Sequence, residues 1–201
     1  MQRIVYDDDS LMSAELQLIG NPGATYTRLV QSPIEIGAIR ALRRPALVAV
    51  VLGACVAMAA TRDASPALIL GTTLAWSIVV IAQVLIALAL IHRPARATVG
   101  VARALDLFFA AHAPWSLWLL AVVAWAPRPG GRPLTPVLLV ALVVLALTFR
   151  MIAAYFHVVL GLDLRAARRR AILHQAVTWI LLLGAEALAV ALLPRVVQWI
   201  G

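Results

Sequence analysis

The sequence predicts an all-α polytopic membrane protein, with five transmembrane helices preceded by short amphipathic cytoplasmic helices. Three observations carry that prediction. Uncharged apolar runs cover residues 45–61, 64–91, 107–127, 133–149 and 171–185; the fourth continues past Arg150 to Leu162 and the fifth past Glu186 to Pro194. The charges fall mainly in the gaps between the runs. Two of those gaps are short turns, Arg62 to Ser65 and Arg128-Pro129-Gly130-Gly131-Arg132. A helix needs about 20 mostly apolar residues to cross roughly 30 Å of hydrocarbon. The spans are therefore expected near 45–61, 66–91, 107–126, 135–162 and 171–193. Residues 1–44 form a cytoplasmic segment with interfacial helices, and residues 45–201 the five-helix domain.

The net charge of +8 comes from arginine alone, since the chain has no lysine. Arginine without lysine, among much alanine, valine and leucine, suggests a GC-rich bacterial genome. No basic face interleaved with aromatic residues stands in soluble sequence, so nucleic acid is not an expected partner. The single cysteine, Cys55, lies in the first run. It leaves no intrachain disulfide and no cysteine-based metal site.

Orientation follows from the arginines. Arg3, Arg28, Arg40, Arg43, Arg44, Arg93, Arg96, Arg103, Arg165, Arg168, Arg169 and Arg170 fall on one side, against Arg62, Arg128, Arg132 and Arg195 on the other. The positive-inside rule puts the N-terminus in the cytoplasm and the C-terminus outside. Trp125 and Trp199 then meet the outer interface. Ala57-Met58-Ala59 imitates a signal-peptide cleavage site, but the polar segment before the first run is far longer than a signal peptide's charged region. The run is expected to remain as an uncleaved span in the bacterial inner membrane.

Within the N-terminal segment, Ser13 to Ile19 reads as a short helix stopped at Gly20. Asn21-Pro22 reads as a cap and first residue of a second, running to about Gln31. Ser32-Pro33-Ile34-Glu35 has a capping-box pattern opening a third, whose Arg40, Arg43 and Arg44 would meet anionic lipid. Arg165, Arg168, Arg169 and Arg170 have the same expected role at the fourth gap. The first span carries Ala49, Gly53, Ala57 and Thr61 at four-residue spacing, a row of small residues on which helices pack closely.

A short Pro-containing element, Asn21 to Leu29, stands before Pro33 and the first span. Ala110-Ala111-His112-Ala113-Pro114-Trp115 opens the third span, and Tyr155-Phe156-His157-Val158-Val159-Leu160-Gly161-Leu162 leaves the fourth for an arginine-rich loop. In these features and in span count the chain resembles the Yip (Ypt-interacting protein) membrane family in its short bacterial form. The resemblance implies five helices with a cytoplasmic N-terminus. It brings no GTPase partner, because no GTPase-binding motif is matched here.

Arg150 and Glu186 are charges inside apolar runs, where an unpaired arginine costs about 2.5–3.5 kcal/mol or more. They read first as an ion pair fixing helix register, and alternatively as a proton or ion path or an electrostatic neighbour of a partner's cofactor. Gln83 is expected to bond a neighbouring helix. His92, His112, His157 and His174 all fall in the cytoplasmic half; they read first as interfacial hydrogen-bonding groups, with cofactor ligation the alternative. Trp115, Trp118 and Trp125 share a helix face, which packs or faces lipid, or else receives a lipid, quinone, pigment or partner helix. Pro114 should kink that helix. No nucleophile motif, metal-binding HExxH, glycine-rich phosphate loop or redox CxxC is present.

The expected function is therefore that of a non-catalytic scaffold, accessory subunit or membrane organiser beside other integral membrane proteins. Respiratory and photosynthetic complexes are among the hosts that fit. Lipid is the expected contact, with neither a metal nor a resident cofactor nor a soluble substrate; a tetrapyrrole or quinone contact has no sequence support beyond the histidines and tryptophans. A small transporter using Arg150 and Glu186 is the rival. The topology has a direct test: alkaline phosphatase joined after Gly201 should be active in bacterial cells, and joined after Arg170 inactive. The opposite pattern would invert it.

Overall fold

All regular structure among the described residues is helical. The computed structural model describes residues 9–32, 36–61, 65–125 and 134–200, with side chains at 14–32, 36–58, 65–122, 135–181 and 183–184. Its helices are α1 (Asp9–Gly20), α2 (Pro22–Gln31), α3 (Ala38–Thr61), α4 (Pro66–Ala97), α5 (Val101–Ala110), α6 (Ala113–Trp125), α7 (Leu134–Val158) and α8 (Leu164–Ile200). Among the described residues, three of these are long and apolar enough to cross a membrane: α3, α4 and α7. A fourth span is added if α5 and α6, bent by 44°, count as one. The fifth apolar run lies in α8, whose side chains beyond residue 184 are outside the described residues.

Helix ends differ from those expected of the apolar runs, and each difference has a local cause. The expected third surface helix and first span form one element, α3, which opens at Ala38 and passes straight through the 44/45 boundary. Pro45 removes a single backbone donor, the one that would reach Ala41, and its ring is buried within the bundle. Residues 33–35 of the capping box lie outside the described residues. Helix α4 runs past its apolar stretch through Arg93 and Arg96 to Ala97. The third span begins earlier than expected, as α5, and breaks at Ala111-His112 just ahead of Pro114, because proline lacks a donor and disfavours helical geometry before it. The arginine-rich stretch after α7 is not a loop but the first turns of α8. Asp163 starts it, accepting the Ala166 N–H at 2.9 Å.

The helices close a ring. Helix α3 packs on α4, α4 on α8, α8 on α7, α7 on α6, and α6 again on α3. At one end α5 is wedged against α3, α4 and α7, while α2 lies along α7 with α1 beside it. Asn21 caps α2 through the Ala24 N–H, and Pro22 fills the first helical position. The buried core is concentrated at this end, where Tyr26, Ile91, Phe108, Ile152, Tyr155 and Phe156 meet. Elsewhere α4 exposes Leu70, Leu74, Ile78, Ile81 and Leu85 in one stripe. In water such a stripe invites aggregation, whereas hydrocarbon solvates it.

The tightest approach is between α3 and α4. A Cβ at Gly53 would stand 2.5 Å from Thr73 Cα, nearer than any side chain tolerates. Ala49 and Ala57 are buried one turn to either side, and Thr61's side chain lies outside the described residues. The Thr72 hydroxyl donates to the Gly53 carbonyl at 2.7 Å, so contact and polar bond coincide. Gly53→Ala should therefore destabilise the bundle by about 1–3 kcal/mol, read as a lower thermal unfolding temperature in detergent. Gly71→Ala is the control, because a Cβ there meets nothing within 4 Å.

Candidate functional site

In a bilayer every backbone carbonyl released from its helix needs another donor. Helix α1 ends at Gly20, and Arg150 on α7 donates to the Gly20 carbonyl at 2.9 Å. Arg103 on α5 donates at 2.5 Å to the Leu29 carbonyl near the end of α2. Pro94 has no N–H for the Leu90 carbonyl, and Arg170 on α8 reaches that oxygen at 2.6 Å. At the bend between α5 and α6 the Ala111 N–H turns to Phe108 rather than to Leu107. The released Leu107 carbonyl accepts the Tyr26 hydroxyl at 3.3 Å. Burial pushes the Tyr26 hydroxyl well above its ordinary pKa, against a smaller downward pull from Arg44, so it remains a donor. Arg44 itself pairs with Glu15 at 3.1 Å and Asp106 at 2.7 Å. These residues bind the α1–α2 hairpin to the ring and, within the ring, α8 to α4.

Between α3, α4, α6 and α8 lies an open cavity of about 490 Å³, within the range of small-molecule pockets. Helix α3 contributes Val48 and Leu52; α4 contributes Trp76, Val79, Val80 and Gln83. His112 enters from the bend, with Trp115, Ser116, Trp118 and Leu119 from α6 and His174, Gln175, Thr178, Trp179 and Leu183 from α8. Trp115 packs edge-on against Trp118 at 5.1 Å and Trp179 at 5.3 Å between ring centroids. His112 and His174 meet edge-to-face at 5.3 Å.

The polar atoms of this wall are incompletely bonded. His112 Nδ1 lies 3.2 Å from the Phe108 carbonyl. His112 Nε2, both ring nitrogens of His174 and the Thr178 hydroxyl are buried without a protein partner. Such an atom costs about 1–3 kcal/mol if nothing bonds it. Apart from the two histidines, no titratable side chain lines the cavity among the described residues.

The structure thus gathers Gln83, His112, His174, Trp115 and Trp118 into one site. It keeps His157 away, exposed at the end of α7 with Nδ1 2.7 Å from the Leu162 carbonyl, where Gly161 turns the chain at a φ of 64°. His92 is likewise exposed. Arg150 has its partner in the N-terminal segment; the side chains of Glu186, its expected partner, and of Trp125 lie outside the described residues. Arg44 and Arg170, expected at lipid headgroups, have protein partners, whereas Arg40, Arg43, Arg165, Arg168 and Arg169 are exposed. Trp76, Gln175, Thr178 and Trp179 were not expected in a site. His174 and Thr178 do stand four residues apart, the spacing that puts two side chains on one helix face.

Comparison with known proteins finds no matching family model, no matching curated protein and no matching solved structure.

Arg170→Leu should leave the Leu90 carbonyl unbonded and cost about 1.5–3 kcal/mol, as for a hydrogen bond from a charged group. In a Pro94→Ala background residue 94 supplies its own N–H, and the same substitution should cost about 1 kcal/mol less. Equal losses in both backgrounds, measured by thermal unfolding, would break the link between Arg170 and Pro94.

Proposed function

We propose that this protein is a non-catalytic integral membrane protein of the bacterial inner membrane. It crosses five times, with a cytoplasmic N-terminus and a periplasmic or extracellular C-terminus, and serves as a scaffold or accessory subunit of a larger membrane complex. The supporting observation is the use of its charges. Arg44, Arg103, Arg150 and Arg170 each tie one helix to another through a carboxylate or carbonyl. They hold the bundle's shape and leave its lipid-facing stripes apolar. A helix face such as that of α4 suits a neighbouring membrane helix as well as it suits lipid. The exposed arginines at the hairpin end suit anionic headgroups on the cytoplasmic leaflet.

The Yip-like reading belongs to this proposal. Pro22, the His112-to-Pro114 segment and Gly161 fall at the start of α2, the bend before α6 and the exit from α7. The resemblance thus rests on residues that shape joints, which is consistent with a shared architecture.

The test is purification of the tagged protein from its native membranes in mild detergent, with mass spectrometry of what accompanies it. Stoichiometric recovery with one larger complex is expected, reduced in Arg150→Leu through lost incorporation. Recovery alone or as a homo-oligomer, with solute or proton flux abolished by Glu186→Gln in an intact protein, would replace the scaffold reading by a transporter.

A further inference from the structure

We infer that the open cavity lined by α3, α4, α6 and α8 binds a neutral, membrane-soluble ring compound bearing carbonyl or hydroxyl oxygens, the chemistry of a quinone or quinol headgroup. Its lining selects that class. No carboxylate or guanidinium faces the cavity among the described residues, so neither a cation nor a phosphate headgroup finds a counter-charge. The walls offer ring faces and edges from Trp115, Trp118 and Trp179, which suit a planar ring.

His112, His174 and Thr178 line the cavity, and their unpartnered atoms are covered, so a ring compound bonds them once these side chains turn toward it. His112 Nδ1 faces a carbonyl, which only accepts, so that nitrogen carries the hydrogen and Nε2 of the neutral ring presents a lone pair. His174 in its neutral form offers one donor and one acceptor, and Thr178 offers a hydroxyl. Ring carbonyls accept from His174 and Thr178, while ring hydroxyls donate to His112 and His174. An acyl chain would leave all of these atoms unbonded. A metal finds too few ligands, since no group of three His, Cys, Asp or Glu side chains occurs among the described residues. A tetrapyrrole ligated from both faces needs a gap between the imidazoles, and these are in edge-to-face contact.

Decyl-ubiquinone is the probe, titrated into the purified protein in detergent and followed by tryptophan fluorescence and by thermal unfolding. Saturable quenching and a raised unfolding temperature are expected in the wild type. Affinity should fall at least tenfold in His174→Leu and several-fold in Thr178→Val, whose near-isosteric change removes a single donor and keeps the test open if the histidine variant fails to fold. Decylbenzene, which lacks the ring oxygens, should give no thermal shift. Quenching that rises linearly and equally in all variants would overturn the inference, as would equal stabilisation by decylbenzene. Recovery alone or within a larger complex leaves this result unaffected, so the ligand site and the scaffold reading fail independently.

Discussion

The bundle depends on backbone carbonyls released at helix ends, prolines and bends, which accept hydrogen bonds from side chains of other elements. A helix end, a proline and a bend each free such an oxygen. Three such oxygens accept from a long side chain of another element, Gly20 from Arg150, Leu90 from Arg170 and Leu107 from Tyr26, and Arg103 adds a second donor to the Leu29 carbonyl that the Ser32 N–H already reaches. A guanidinium suits this duty because its donors are several, planar and always charged. Its long apolar stem lets it lie along hydrocarbon while the head finds a polar partner. The defects in the helices thereby become the points at which the helices are joined.

This use of arginine explains what was legible in the sequence. Helical class and apolar lengths were readable because hydrocarbon thickness imposes them on composition. Helix ends are less legible, because an arginine's charge suggests a loop although its long stem suits a helix equally well. Arg93 and Arg96 lie inside α4, and Arg165 to Arg170 inside α8. Pro45 and Pro94 also stand within helices rather than at their limits. The first forgoes the bond to the Ala41 carbonyl, and the second has its lost bond replaced from α8 by Arg170.

The small-residue row of α3 was legible for a different reason: close approach demands the absence of a side chain, and Gly53 against Thr73 meets that demand. The cavity was legible only in part. His112, Trp115 and Trp118 mark one wall within a few residues of each other. Trp76 and Trp179 come from separate helices, and only the closing of the ring carries them to the same space. Arg150 offers the converse lesson. Its unusual position in an apolar run was evident, but its partner Gly20 is a backbone oxygen 130 residues away, and a carbonyl leaves no signature in composition.

The two regions of the molecule meet at Phe108. Its ring lies 5.4 Å from Tyr155, which in turn lies 5.8 Å from Tyr26 of the hairpin. On its other side it stands 4.9 Å from His112 and 5.0 Å from His174. Phe108 is fully buried, held on one side by Tyr155 and Phe156 of α7 and on the other by His112 and His174. The carbonyl of the same residue holds His112 Nδ1. Phe108 thus backs both imidazoles of the cavity wall, and its carbonyl sets the orientation of one of them. A binding site of this kind needs walls that keep their shape in a fluid bilayer, and close-packed aromatic rings with few free rotamers supply that rigidity.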